Sequence, residues 1–153
     1  MPELRNGQLV ESLMAALETM AFVSLQPPDG PVAAPEEAIL VSLAFHGARQ
    51  GRVEVATSEQ FGRLLVDNML GCDPSDPQST DTLPHPHDPL VELVNIATGI
   101  VLKTHAPGGR VEMSVPQVLP FDAESQWQTF IASDGCDVLM ADSVPVAIRL
   151  VEE

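Results

Sequence analysis

At 153 residues, 44% hydrophobic and 19% charged, the chain has the size of one domain whose core needs no disulfide or metal to hold it. Its 22 acidic residues against 7 basic ones leave a net charge of −15. With no Lys/Arg cluster to reverse that charge locally, the surface repels phosphate backbones and argues against nucleic acid or an anionic membrane as partner.

Five Phe, one Trp and no Tyr leave the core to Leu, Val, Ile, Ala and Met. Cys72 and Cys136 lie far apart with no CxxC spacing and read as reduced thiols. Met1-Pro2-Glu3-Leu4-Arg5-Asn6-Gly7 carries no basic-then-apolar signal, and no run approaches the ~18 apolar residues of a membrane span. The expected location is the cytoplasm, and the expected organisation is a single domain over 1–153.

Asn6 is placed to cap a helix from about Gly7 to Val23, on which Leu9, Val10, Leu13, Met14, Leu17, Met20 and Ala21 share a face. Pro27-Pro28-Asp29-Gly30-Pro31 ends it in a loop. Ile39, Val41, Leu43 and Phe45 alternate on a strand from Ala38 to Phe45. Gly47 to Gly51 turns the chain, and Val53 and Val55 continue a hairpin. Thr57-Ser58-Glu59-Gln60 resembles a capping box opening a helix with Phe61, Leu64, Leu65 and Met69 on one face and Gly71 as its stop. Residues 72–87, dense in Pro, Asp, Ser and Thr, read as an exposed loop. Asp88 then opens a helix to about His105, before Pro107-Gly108-Gly109. Beyond it the pattern predicts strands only: Val111, Met113 and Val115; Trp127 to Ala132 and Cys136 to Met140 about an Asp134-Gly135 turn; and Val144, Val146, Ile148 and Leu150. This order predicts an α+β domain with a largely antiparallel sheet. Leu9-Val10-Glu11 and Leu90-Val91-Glu92 echo each other, a three-residue match that chance explains as well as an internal repeat does.

The third helix carries the chemistry. At about 100° per residue, Asp88, Asn95, Gly99 and Lys103 fall within an arc of roughly 80° around Glu92, with Ile96 at its margin. Leu90, Leu93, Val94, Ala97, Ile100 and Val101 fill the far side. A polar stripe this narrow belongs to a helix buried elsewhere. Asp88-Pro89 has a local reason, as N-cap and first helical residue. Glu92 and Asn95 have none: they lie beyond the cap, one turn apart, and Asn is a mediocre helix former. Gly99 costs about 1 kcal/mol against Ala, which suits a surface that a partner approaches closely. The bland alternative is a solvated Glu beside an Asn bonded to a neighbouring loop.

Asp88-x3-Glu92-x2-Asn95 resembles the signature of the CheC/CheX/FliY family of chemotaxis phosphatases. Pro116, in Ser114-Val115-Pro116, stands where the family has a later proline, at slightly shorter spacing. The hairpin with Gly47 and Gly51, and the helix ending Asn68-Met69-Leu70-Gly71, are similar to its CheX-like branch. Met14, where a second site would need Asn, also resembles one-site CheX more than two-site CheC. The resemblance implies two pseudo-repeated helix-plus-strands halves, with long helices packed on the sheet. It further implies a homodimer that hydrolyses the aspartyl phosphate of a CheY-like receiver protein. Asn95 would orient the attacking water, and Glu92 would pair with the receiver's Lys. Asp88, Gly99 and Lys103 would contact the partner. No cofactor of its own is implied, Mg²⁺ being supplied by the receiver.

A non-catalytic module docking a receiver or flagellar-switch partner through the same face is the rival reading. A small-molecule sensor would need a closed apolar pocket. His85 and His87 lack the spacing of a metal site. Ser114, Ser125 and Ser143 lack a nucleophile elbow.

Overall fold

Leu9, Leu13, Ala16 and Leu17 recur at three- and four-residue spacing, and in the computed structural model they are buried beneath α1 (Asn6–Ala16) and the π-helical turn Leu17–Ala21 that continues it. The structure describes residues 4–70, 87–105 and 109–153. After α1 come β1 (Ala38–Gly47), β2 (Gly51–Ser58), α2 (Glu59–Leu70) and α3 (Asp88–His105). The chain then forms β3 (Val111–Met113), β4 (Gln117–Pro120), α4 (Ala123–Ala132), β5 (Cys136–Ala141) and β6 (Val144–Glu152). The six strands make one antiparallel sheet in the order β3-β1-β2-β6-β5, with β4 also paired to β1.

Strand alternation divides the interior in two. Ile39, Val41, Phe45, Val53, Val55, Val146, Ile148 and Leu150 point to one side, where they pack with the apolar faces of α1, α2 and α3. Ala56 and Ala147 point to the other, beneath Trp127 and Phe130 of α4. On that second side Arg149 lies 4.5 Å over the Phe130 ring and donates through Nε to Glu54 at 3.0 Å.

The halves repeat. Hairpins β1–β2 and β5–β6 meet through β2 and β6 at the centre of the sheet, with α1 preceding the first and α3 the second. Gly47 and Gly51 are both required by the backbone. Gly47 has φ 122° against the Arg110 carbonyl, and a Cβ on Gly51 would overlap the Val151 carbonyl and the Phe45 ring.

Several expectations are corrected. Ala123–Ala132 is a helix, not a strand of a hairpin, and Asp134-Gly135 joins that helix to β5. The β-prone Trp-Gln-Thr-Phe-Ile run hid helical spacing: Ala123, Trp127, Phe130 and Ile131 fall on one face against the sheet. Asn6 is the first helical residue, not the cap; its amide donates to Asp137 Oδ2 at 2.7 Å and to the Ile148 carbonyl at 2.9 Å, anchoring α1 on the sheet. At α2 the cap is Ser58, whose Oγ accepts from the Gln60 N–H at 3.0 Å, while Thr57 donates to the Pro145 carbonyl at 2.8 Å. The strand expected through Val115 stops at Met113. One extra residue bulges between Ser114, bonded to Ala44, and Gln117, paired with Ser42, before β4 resumes. His87 is buried rather than part of an exposed loop. The rest of that loop, the Gly71 stop and Pro107-Gly108 lie outside the described residues.

Candidate functional site: the outer stripe of α3

Helix α3 is held from below by Leu90, Leu93, Val94, Ala97 and Val101, none more than 4% exposed. Side chains of this size contribute about 1.5–3 kcal/mol each when buried, so the helix cannot roll without losing its core. Two hydroxyls fix its backbone further. Thr98 Oγ1 donates to the Val94 carbonyl at 2.7 Å, and Ser12 of α1 donates to the Ala97 carbonyl at 3.1 Å. These carbonyls lie on either side of Asn95 in the chain. Ser12 gave no signal in the sequence, being one polar residue on a mixed helix face.

With the inner face fixed, the outer stripe is determined. Asp88, Glu92 and Lys103 are exposed; Asn95, Ile96 and Gly99 are half-buried. Glu92 and Asn95 therefore reach the surface from the same side of a helix that is otherwise core. Ile100, placed on the far side by helical periodicity, is 50% exposed instead, because the hydrophobic arc beneath α3 is narrower than its apolar composition suggests. Asp88 is the first helical residue rather than the N-cap: the Val91 N–H donates to the His87 carbonyl at 3.0 Å. Its carboxylate still sits at the positive end of the helix dipole. Gly99 is not bare. A Cβ there would meet the Met113 side chain of β3 at 3.9 Å, an ordinary contact, so Met113 already shares this part of the surface.

Lys103 is the one lysine of the chain. Arg49, Arg52, Arg63, Arg110 and Arg149 each lie within ion-pair distance of a glutamate, whereas Lys103 makes no ion pair among the described residues. On so acidic a molecule, an exposed ammonium without a carboxylate is available to a partner's acid.

Among the described residues the other candidates provide no second centre. His87 Nε2 lies 3.6 Å from Glu59 Oε1 beside the start of α3, and His85 is outside the described residues. Cys136 is a free thiol pushed up to about 11, chiefly by burial, with Arg149 pulling the other way; it is no nucleophile at neutral pH. A hollow of about 1150 Å³ is bordered by the 24–36 segment and the β5–β6 turn, and no residue of α3 lines it.

This architecture is that of the CheX/CheC-like chemotaxis proteins. CheX from Vibrio vulnificus superposes with a TM-score of 0.68 at 21% identity, over 96% of this chain and 95% of that one. A CheC-like superfamily protein from a Shewanella species gives 0.65 at 20% identity, over 100% and 99%. CheX in a CheX–CheY–BeF3–Mg²⁺ complex from Borrelia burgdorferi gives 0.64 at 15% identity, over 99% of both chains. No protein-family model matches the sequence, and no curated protein matches it significantly. At such identities the likeness establishes the α+β fold, not the chemistry.

Proposed function

We propose that the protein is an aspartyl-phosphate phosphatase acting on a CheY-like receiver domain, with Asn95 and Glu92 as the working pair. The observation that carries this reading is their common position on the outer side of α3, Glu92 exposed and Asn95 half-buried, above an inner face that is core. Dephosphorylation of an acyl phosphate passes through a loose transition state and needs a positioned water more than a strong base. A carboxamide suits that task, since its oxygen accepts from the water while its NH₂ donates to the phosphoryl oxygens. A water held in line is worth several orders of magnitude when the alternative is random attack from bulk. Glu92, one turn away, pairs with the receiver's Lys and fixes the docking register. Asp88, Gly99 and Lys103 complete the contact, and the receiver brings its own Mg²⁺. That one CheX of the same fold is found with CheY supports the choice of partner class.

The same reading places the reaction in the cytoplasm and expects a homodimer. An edge at β3 and β4 that is unpaired among the described residues, where Val115 is 83% exposed and Val118 and Leu119 are more than one-third exposed, supports a second copy as a sheet partner. Sedimentation would check it.

The deciding experiment follows a purified CheY-like receiver, phosphorylated with acetyl phosphate and then freed of donor, with and without this protein. Faster decay that disappears in Asn95→Ala, with binding retained, is the expected outcome. Measurable binding with unchanged lifetime would assign the stripe to a non-catalytic docking module instead.

A further inference from the structure

The end of α1 contains a residue that the fold has no use for. The π-helical turn Leu17–Ala21 closes on Phe22, whose backbone is left-handed at φ 55°, ψ 34°. The N–H groups of Phe22 and Val23 both donate to the Leu17 carbonyl, the second at 3.1 Å. Helices ordinarily place Gly or Asn at such a left-handed terminus, because a Cβ crowds the following carbonyl. A bulky aromatic there is an outlier. Nor does burial compensate: the Phe22 side chain is 79% exposed, and Met20 beside it is 37% exposed. Ala21 and Val23 on either side are buried, so packing of the neighbours imposes the strained conformation. Backbone strain maintained by its surroundings, with an exposed aromatic as the result, is characteristic of a functional position.

Its place in the molecule gives the function. Helices α1 and α3 are antiparallel neighbours: Gln8 meets His105 at 3.3 Å and Ser12 meets Ala97 at 3.1 Å. Ten residues onward from Ser12 is Phe22, and ten back from Ala97 is His87. Carried on, that register brings the end of α1 toward the first turns of α3, the half of the helix that holds Asp88 and Glu92; Lys103 lies toward its other end.

We propose that Phe22 is an apolar anchor for the receiver domain, inserting into that partner's surface beside the cleft that Glu92 and Asn95 enter. This rests on the phosphatase reading above. The charges around Phe22 select the receiver over a second copy of this chain. Glu18, Asp88 and Glu92 are exposed at this end of the two helices. Two copies meeting at Phe22 would bring six like charges together, whereas a receiver presents to Glu92 the Lys that the reading requires. A protein partner of opposite local charge therefore fits.

The test is Phe22→Gly in the full chain, which relieves the left-handed strain while removing the anchor. The assay uses the acetyl-phosphate-labelled receiver whose decay the wild-type protein accelerates. The expected result is a KM raised about tenfold or more, a kcat within about twofold, and a melting temperature equal to or above wild type. A structural role would give the reverse, a lower melting temperature with unchanged KM, and would overturn the proposal while leaving the phosphatase reading intact. A changed sedimentation coefficient at unchanged KM would assign Phe22 to self-association, also against the proposal. If wild type accelerates the decay of no receiver, the phosphatase reading itself falls, and the anchor with it.

Discussion

Helices α1 and α3 occupy equivalent places in the two halves, and their sequences align core to core. Leu9, Leu13 and Ala16 correspond to Leu90, Val94 and Ala97, all six buried. Outward, the correspondence is positional but not chemical. Glu11 and Glu92 are both exposed; Met14 and Asn95 are both half-buried; Glu18, exposed, stands where α3 has the half-buried Gly99. The buried positions had to stay apolar in both helices, because each covers one hairpin of the same sheet. The outer positions were free to differ, and they do: α3 has a carboxamide at Asn95 and no side chain at Gly99 where α1 has Met14 and the charged Glu18. The buried faces match and the outer faces do not.

The largest expected break in that comparison is Asn95→Ala, which should slow stimulated receiver dephosphorylation by about 100-fold or more while leaving the melting temperature nearly unchanged, since the side chain is only half-buried. Met14→Ala at the equivalent position of α1 should leave the rate at wild-type level. Equal losses from both would mean that the two helices act together and that the asymmetry is illusory. Next in size is Glu92→Ala. A charge-assisted hydrogen bond lost at an interface costs about 1.5–3 kcal/mol, so KM for the phosphorylated receiver should rise roughly tenfold to 100-fold, with a smaller change in kcat. Glu11→Ala should change neither. A loss of kcat alone in Glu92→Ala would move this residue from docking to the chemical step.

The stripe was legible in the sequence because helical periodicity is strict: once Leu90, Leu93, Val94 and Ala97 face inward, Glu92 and Asn95 have one place to go. The hairpins were legible for the same reason at period two. Elements whose local and tertiary preferences disagree were not. Trp127 to Ile131 has β-prone residues yet packs as a helix, because one face of it covers Ala56 and Ala147. β4 escaped notice because its four residues are all exposed, so they carry no alternation; its pairing with β1 is supplied by the rest of the sheet. Phe22 escaped for a related reason. The sequence pattern carries a helix through it to Val23, and only the backbone dihedral shows that the helix ends there on a left-handed residue.

A smaller effect sharpens the comparison from the side of α1. Met14→Asn recreates the Glu–Asn pair on the supporting helix. In an Asn95→Ala background it should restore only a few per cent of the wild-type rate, because Glu18 lies one turn beyond, where α3 has Gly99, and adds bulk and negative charge to the approach. Full restoration would show that either stripe can be entered and that the choice between helices lies in one residue.

Gly99 gives the smallest effect and the most discriminating one. Glycine within a helix costs about 1 kcal/mol relative to alanine, and a Cβ at this position meets only the Met113 side chain, at 3.9 Å. Gly99→Ala should therefore stabilise the protein by up to about 1 kcal/mol, raising the melting temperature by about 2–4 °C for a domain of this size. If the receiver's surface comes down against the stripe at this turn, the same methyl group must stand between them and KM should rise a fewfold. Glu18→Ala, its equivalent on α1, should shift neither quantity much, since that exposed side chain supports no packing. A more stable Gly99→Ala protein with unchanged KM would end the partner contact at this turn of α3.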